Sequence, residues 1–379
     1  MSLRVTRRRR VTVRVLLMSE LDLEFSASLT DDTGSFKLLE LPPDLCKLIE
    51  TAVENLRPLR LSIKGESGED AVLCTDDATY TVRSVVLSNT ILVVTPPPDS
   101  LGSVVIRDQV NEILELTPAV PKLHKISALL RGREYDDVHD SEDHPPLPEP
   151  GHLTYAAARA TIQASDAEFA HGLRQQRILD IHGSLRPIAP SYLTTILETI
   201  LNLLVSQSMA PRAVPVEDVA ATLTDENEIS RAVSMQAMAW FGEINNGVWT
   251  MDVESVLKEI GLGILRQHKD EPIAKDILLD KWRLAVGDTF EASVSLALLT
   301  GNYLVSPGTE LLTYFPSSAL PVDPASRFID LFLTRPRWKA DDIAPFLSDI
   351  AINTKDRDKL LLKYTRMTTD SQGVWYTKK

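Results

Sequence analysis

The side chains best equipped for chemistry crowd between Asp136 and His144. Asp136, Asp137, His139, Asp140, Glu142, Asp143 and His144 place oxygen and imidazole donors close enough in sequence to hold a metal ion. Pro145-Pro146-Leu147-Pro148 follow at once. A metal cage needs rigid elements to fix its ligands and outer groups to orient them, so a solvated acidic linker is the expected reading. No metal or cofactor is expected. Gly65-Glu66-Ser67-Gly68 is not a Gly-x-Ser-x-Gly nucleophile elbow, and it falls where a hairpin turn is predicted. The chain has no Gly-x-x-x-x-Gly-Lys-Ser/Thr phosphate loop. Catalysis is not expected.

Contact with phosphates is the other chemistry on offer. Lys355, Lys359 and Lys363 recur every four residues and Arg366 follows three later, which aligns the four on one face of a predicted helix over 355–365. Leu360, Leu361 and Tyr364 take the buried side. From Arg335 to Lys379 there are ten Lys or Arg against six Asp, a net of +4 within a chain of −13. With Lys378 and Lys379 at the end, these are the candidate DNA-contacting residues. The alternative is a solvated helix face neutralised by Asp356 and Asp358. The five tryptophans (240, 249, 282, 338 and 375) read first as core anchors, with base stacking the lesser reading and strongest for Trp375.

The elements that would carry these residues follow from pattern. A chain of 379 residues, 44% hydrophobic and 25% charged, is an ordinary folded protein of two to four domains. No apolar run reaches the ~20 residues that cross a bilayer, so no membrane contact is expected. Cys46 and Cys74 cannot make a disulfide framework. The acidic balance excludes a protein that coats nucleic acid with its whole surface. Arg4, Arg7, Arg8, Arg9, Arg10 and Arg14 allow a nuclear localisation patch, a transit peptide or a frayed terminus.

Residues 1–117 read as a β-rich docking domain. Leu59, Leu61 and Ile63 alternate with polar neighbours, Ala71 to Thr75 returns after the Gly65–Gly68 turn, and Tyr80 to Val82 and Ile91 to Val94 continue to Pro96-Pro97-Pro98. One helix, over 45–56, interrupts them. A small barrel or sandwich with open edges suits a partner chain, and a self-contained barrel is the alternative. Residues 118–151 give a short helix (122–131) and the acidic linker. Residues 152–190 look like a partial unit with helices 154–163 and 166–177 and a hairpin at Gly183. Three fuller units follow, at 191–251, 252–316 and 321–379. Each has three helices and a hairpin, the third helices falling at 228–240, 289–299 and 355–365. That order is the winged-helix arrangement, in which the third helix enters the major groove. The first of them carries only Arg231, opposite Glu228, and the second has Glu291 and no base, so these two are expected to pack or to bind protein. The expected fold is α+β, an N-terminal β-barrel-like domain followed by tandem winged-helix domains.

Several stretches resemble one family. Phe36-Lys37-Leu38-Leu39-Glu40-Leu41, Leu45-Cys46, Ile63-Lys64-Gly65, Ala71-Val72-Leu73-Cys74 and Thr79-Tyr80 are similar to the N-terminal domain of Dcc-type sister chromatid cohesion proteins. Arg327-Phe328, Leu331-Phe332, Trp338, Asp342-Ile343-Ala344-Pro345 and Leu362-Lys363-Tyr364 match at the other end, and Ile162-Gln163-Ala164-Ser165 with Glu168 match between. The resemblance implies a nuclear subunit of the alternative (Ctf-type) replication factor C clamp loader. Its β-rich domain would complete a composite barrel with a small β-rich subunit and the large AAA+ subunit. Its winged helices would contact single- or double-stranded DNA and the catalytic part of DNA polymerase epsilon. The replication factor C small subunits and the sliding clamp would be indirect partners, and clamp loading would support cohesion. The arginine tract departs from the family pattern and inherits no role. A second reading is a tandem winged-helix scaffold of a cytoplasmic sorting or regulatory complex without DNA binding.

Overall fold

The computed structural model describes residues 22–25, 36–95, 103–140, 152–306, 308–371 and 373–379. The arginine tract and residues 141–151 lie outside them. The chain divides into two units, Met1–Pro58 with Thr81–Thr117, and Leu59–Tyr80 with Pro118–Lys379.

In the first unit, even-numbered apolar residues from Val104 to Leu116 mark one face of a strand, and Ser103–Pro118 is one continuous strand with Ile106, Val110 and Leu116 buried. It runs beside the strand Thr79–Thr95, whose stretches near 80–82 and 91–94 are one element. Hydroxyl, carboxylate and amide groups tie the ribbon together: Thr81 to Thr117 at 2.7 Å, Ser84 donating to Glu112 at 2.6 Å, and Thr90 donating to the Asn111 side-chain amide oxygen at 2.7 Å. Two short strands, Asp22–Phe25 and Leu38–Glu40, both pair in parallel with Ser103–Pro118. The helix Pro43–Glu54 starts on the proline that favours a first turn and buries Leu45 and Ile49. A barrel requires its first and last strands to pair. Among the described residues no such ring closes, because both short strands sit on the same long one. The expected open-edged, barrel-like domain is, among the described residues, an open sheet.

The second unit begins with the hairpin Ser62–Lys64 and Val72–Cys74, which the sequence had grouped with the rest of 1–117. The structure packs it on residues 159–168. Lys64 Nζ donates to the carbonyls of Arg159 (2.8 Å) and Ala164 (2.7 Å), and buried Gln163 donates through Nε2 to the Asp70 carbonyl at 2.7 Å. The Thr79 hydroxyl donates to Glu168 at 2.5 Å and accepts from the Ser165 N–H at 2.9 Å. Ser165 and Glu168 also form the capping box that starts the helix Asp166–Gln175. Tyr135 is buried and bridges to Ile188, so the expected linker at 134 is ordered structure as far as the short helix Asp137–Asp140.

Helices Tyr155–Thr161 and Asp166–Gln175 precede the strands Ile178–Ile181 and Ser184–Pro187. His182 and Gly183 both have positive φ, as two-residue hairpin turns of this hand require. Three blocks then repeat one order. The first has the helix Pro190–Ser206, the short strand Val214–Pro215, helices Val216–Asn227 and Arg231–Trp240, and strands Gly242–Asn245 and Val248–Met251 around Asn246-Gly247. In every block the short strand pairs with the second hairpin strand, giving a three-stranded sheet.

The second block has Val253–Arg266, Ile273–Ala274, Lys275–Val286 and a hairpin of Tyr303–Val305 with Leu311–Tyr314. The expected helix 289–299 does not form. Gly287 turns the chain at φ +76°, and only the short 3-10 turns Glu291–Ser293 and Leu296–Leu299 remain. Thr289, Ser293, Val294 and Ser295 favour extended or capping conformations over helix interiors, and Ser295 accepts from the Ala297 N–H. The third block has Pro324–Thr334, Arg337–Lys339, Ala340–Ile343, Thr354–Tyr364, Thr365–Asp370 and Gly373–Lys378. Its second helix is shorter than the expected 339–349, because Pro345 cannot continue an α-helix and Ala344–Leu347 tightens to a 3-10 turn. The first two blocks share one core, in which Gly261 lets the ring of Trp282 approach the backbone; a methyl group there would come within 2.5 Å of it. The third block has its own, centred on Phe328, Leu331, Trp338 and Phe346.

Candidate nucleic-acid interface

The third block is built around a buried cation. Arg327 is fully buried on the helix Pro324–Thr334 and meets Asp349 through both terminal nitrogens. It also donates to the carbonyls of Pro321 (2.6 Å), Phe346 (2.8 Å) and Leu320 (3.2 Å). The start of that helix is held by Asp323, whose carboxylate accepts from the Ser326 N–H and hydroxyl, both at 2.8 Å. Those bonds keep Asp323 below the usual carboxylate range. Trp338 lies in the core with its indole N–H on the Leu331 carbonyl at 2.9 Å. Arg335 sits over the Trp338 ring and donates to the Val305 carbonyl; burial lowers its pKa, with Asp342 opposing. Arg327 and Arg335 therefore serve the fold.

The helix Thr354–Tyr364 opens on Asn353, whose side chain accepts from the Asp356 N–H. Leu361 is buried, with Leu360 and Tyr364 packed partly against the core. Tyr364 stacks on Phe328 with ring centroids 5.0 Å apart. Lys355, Lys359 and Lys363 are exposed on the far side. Lys359 pairs with Asp356 at 2.9 Å, and Lys363 lies 5.0 Å from the Tyr364 ring.

Arg366 departs from the expected stripe. The helix ends at Tyr364, and Arg366 belongs to the strand Thr365–Asp370, opposite Thr377. Three cations are thus on the helix and one is on the sheet. Lys378 and Lys379 are exposed at the end of the last strand, with Lys379 Nζ donating to the Leu362 carbonyl at 3.2 Å. Sequence reasoning missed two further sheet cations, Arg337 and Lys339. Arg337 lies 4.2 Å from the Trp375 ring centroid and pairs with Asp370 at 2.6 Å. Their period of two around Trp338 was the available signal.

The earlier third helices offer less. Arg231 pairs with Glu217 at 2.6 Å rather than Glu228, which ends the preceding helix in the left-handed region. The second block has no third α-helix, so a groove-reading element is missing there. Among the described residues no group of His, Cys, Asp and Glu could hold a metal, and the side chains of the 136–144 cluster beyond Val138 lie outside the description. No helix among them is long and apolar enough to cross a membrane.

Comparison with known proteins agrees along most of the chain. A sister chromatid cohesion protein DCC1 from Xenopus tropicalis is 27% identical over 364 residues, covering 91% of this chain and 88% of its own. The human protein of that name is 26% identical over 348 residues, covering 88% and 85%, and that of Saccharomyces cerevisiae 22% over 367, covering 88% and 93%. The family model described as sister chromatid cohesion protein Dcc1 matches residues 36–347. That span takes in the hairpin Ser62–Cys74, the grip at 159–168 and Arg327, and it stops short of the lysine-bearing helix. The chain belongs to the Dcc1 family of sister chromatid cohesion proteins.

Proposed function

We propose that this chain is a non-catalytic subunit of an alternative, Ctf-type replication factor C clamp loader in the nucleus. It links the loader to DNA and to the leading-strand polymerase, epsilon, for sliding-clamp loading in support of cohesion. Family membership over 36–347 carries this reading. The three blocks are winged-helix units, a reading supported by their common order of helix, strand, two helical segments and hairpin. The open sheet of the first unit is the docking element for a small β-rich subunit and the large AAA+ subunit. Val86, Ile91, Leu92 and Val94, exposed on its long strand, are apolar surface of the kind a partner covers. The third block is the DNA-facing one, because it is where exposed cations outnumber acids.

The test is purification of the tagged chain from cells, with identification of what accompanies it. The reading requires an AAA+ subunit, a small β-rich subunit and replication factor C small subunits in near-equal amounts. Recovery of the chain with a cytoplasmic sorting complex and no clamp-loader subunit refutes it.

A further inference from the structure

The third helices of the first and third blocks differ in how far they are covered. From Val233 to Trp240 no residue is exposed, whereas six of the eleven in Thr354–Tyr364 are. A helix that reads a groove has to present its outer side to solvent. In the first block that side is taken.

The hairpin of Ile178–Ile181 and Ser184–Pro187 takes it. Gln236, on the helix, accepts from the Asp180 N–H at 2.8 Å and donates to the Asp180 carbonyl at 3.0 Å. This is the two-point contact that a neighbouring strand would make. Alternation along the strand sends Leu179 and Ile181 into the core of the first two blocks and Ile178 into the smaller core around Phe169. The strand is therefore a wall common to both cores.

Charge fixes the near end of the hairpin. Arg177 enters the strand at φ +53°, a left-handed conformation that strains any residue with a Cβ and persists only where its surroundings hold it. Its guanidinium lies 4.2 Å from the centroid of Phe241, just past the third helix. It donates to the Arg174 carbonyl at 3.0 Å and to Glu259 at 3.4 Å. Glu259 is buried and comes from the first helix of the second block. Its other oxygen accepts from Arg266 at 2.9 Å. One carboxylate thus stands between two arginines where the partial unit and the first two blocks meet.

We infer that the hairpin 178–187 is a built-in cover for the third helix of the first block, clasped by Gln236 and pinned by Glu259 through Arg177, and that cover and helix open together. The chain's own backbone withdraws this helix from groove reading. A partner that needs the helix has to displace the hairpin first. The inference holds whatever the blocks bind, because every contact in it lies within the chain.

The experiment is amide hydrogen exchange on the full chain, read in 178–181, 233–240 and 354–364. Gln236→Ala is expected to speed exchange about tenfold in the first two segments together, within the range that an orphaned buried polar group produces, and to leave the third unchanged. Glu259→Gln leaves two guanidiniums facing each other without a carboxylate and should act at least as strongly on the same two segments. Adding Arg177→Met to Glu259→Gln should speed exchange no further, because both act through one contact. Thermal melts check that each variant is folded. If Gln236→Ala speeds exchange in 178–181 while 233–240 keeps its protection, the hairpin is not the cover and the inference falls. Unchanged exchange in both segments overturns it as well. Fully additive effects of Glu259→Gln and Arg177→Met overturn the pin. Should Glu259→Gln fail to fold, Arg177→Met alone decides the pin, and full protection of 233–240 in that variant overturns it.

Discussion

Arg327 and Asp349 join the first helix of the C-terminal block to the segment before its last helix, through both terminal nitrogens of one guanidinium. The arginine is fully buried and its remaining donors go to backbone carbonyls. Deleting one partner strands the others in a low-dielectric site, a change that costs about 3–5 kcal/mol for a buried pair. Asp349 is partly exposed, so about 3 kcal/mol is the expected loss for Arg327→Met, measured by urea unfolding. Arg327→Lys should recover little of it, because an ammonium cannot make the planar two-point contact. A loss below about 1 kcal/mol refutes the keystone role.

The hairpin of residues 62–74 should depend on Gln163. Replacing it with leucine leaves the Asp70 carbonyl without its donor, and about 1–3 kcal/mol is the usual cost of such a group. Hydrogen exchange at Val72, Leu73 and Cys74 should accelerate while exchange near Trp282 stays unchanged. A chain ending at 117 loses Gln163, Ala164 and Glu168 together. It should be insoluble, since Val72, Leu73 and Cys74 are all nearly fully buried in the whole protein. A soluble fragment with a cooperative melt refutes this.

Acid should loosen the second unit through its paired carboxylates. Asp166 is held below the usual range by hydrogen bonding to Arg159, Glu69 by Lys125, and Asp323 by the Ser326 N–H. A carboxyl depressed in the folded state adds stability above its unfolded pKa and loses it as pH falls through the folded one. The decline therefore begins near pH 4, the ordinary carboxylate value, and continues below it. Asp166→Asn should flatten this acid limb in thermal melts between about pH 4 and pH 2, without changing its sign. An unchanged limb in that variant refutes the assignment.

The helix lysines make a separate prediction about duplex. Three phosphate contacts by Lys355, Lys359 and Lys363 give a log–log salt slope of about −2.7, at roughly −0.9 per phosphate. Lys359→Glu with Lys363→Glu should weaken duplex binding for all sequences alike and reduce that slope. Arg231→Glu is the matched control, since that arginine is engaged with Glu217 in the first block. Equal weakening by the control removes the third block from its role.

What could be read in advance was local. Pro43, Ser165 with Glu168, and Asn246-Gly247 announce a helix start, a capping box and a tight turn, because those residues act on backbone within three or four positions. The alternation in Ser103–Pro118 was equally local and went unused behind the proline run. Arg366 was misplaced because the helical three-and-four spacing continues past Tyr364 on paper, whereas the strand after it is fixed by pairing with Thr377 and its neighbours. Arg327 could not be distinguished from a surface arginine, since its burial depends on carbonyls and a carboxylate supplied by other segments. The links from Leu59–Tyr80 to residues 159–168 were hidden for the same reason: those partners lie about a hundred positions later.

That separation has a consequence for synthesis. The hairpin Ser62–Cys74 lies in sequence between the two stretches of the first unit, Met1–Pro58 and Thr81–Thr117. Thr79 waits 89 residues for Glu168. At about 5–20 residues per second a ribosome needs roughly 4–18 seconds to supply it, and the exit tunnel lengthens the delay. Once residue 118 has been added the first unit has all of its described strands, while Lys64, Asp70 and Thr79 still lack their partners at 159–168. The nascent chain carries a β-hairpin with an apolar face into the cell before its seat exists, and chaperone occupancy should peak in that window and fall once residue 168 emerges.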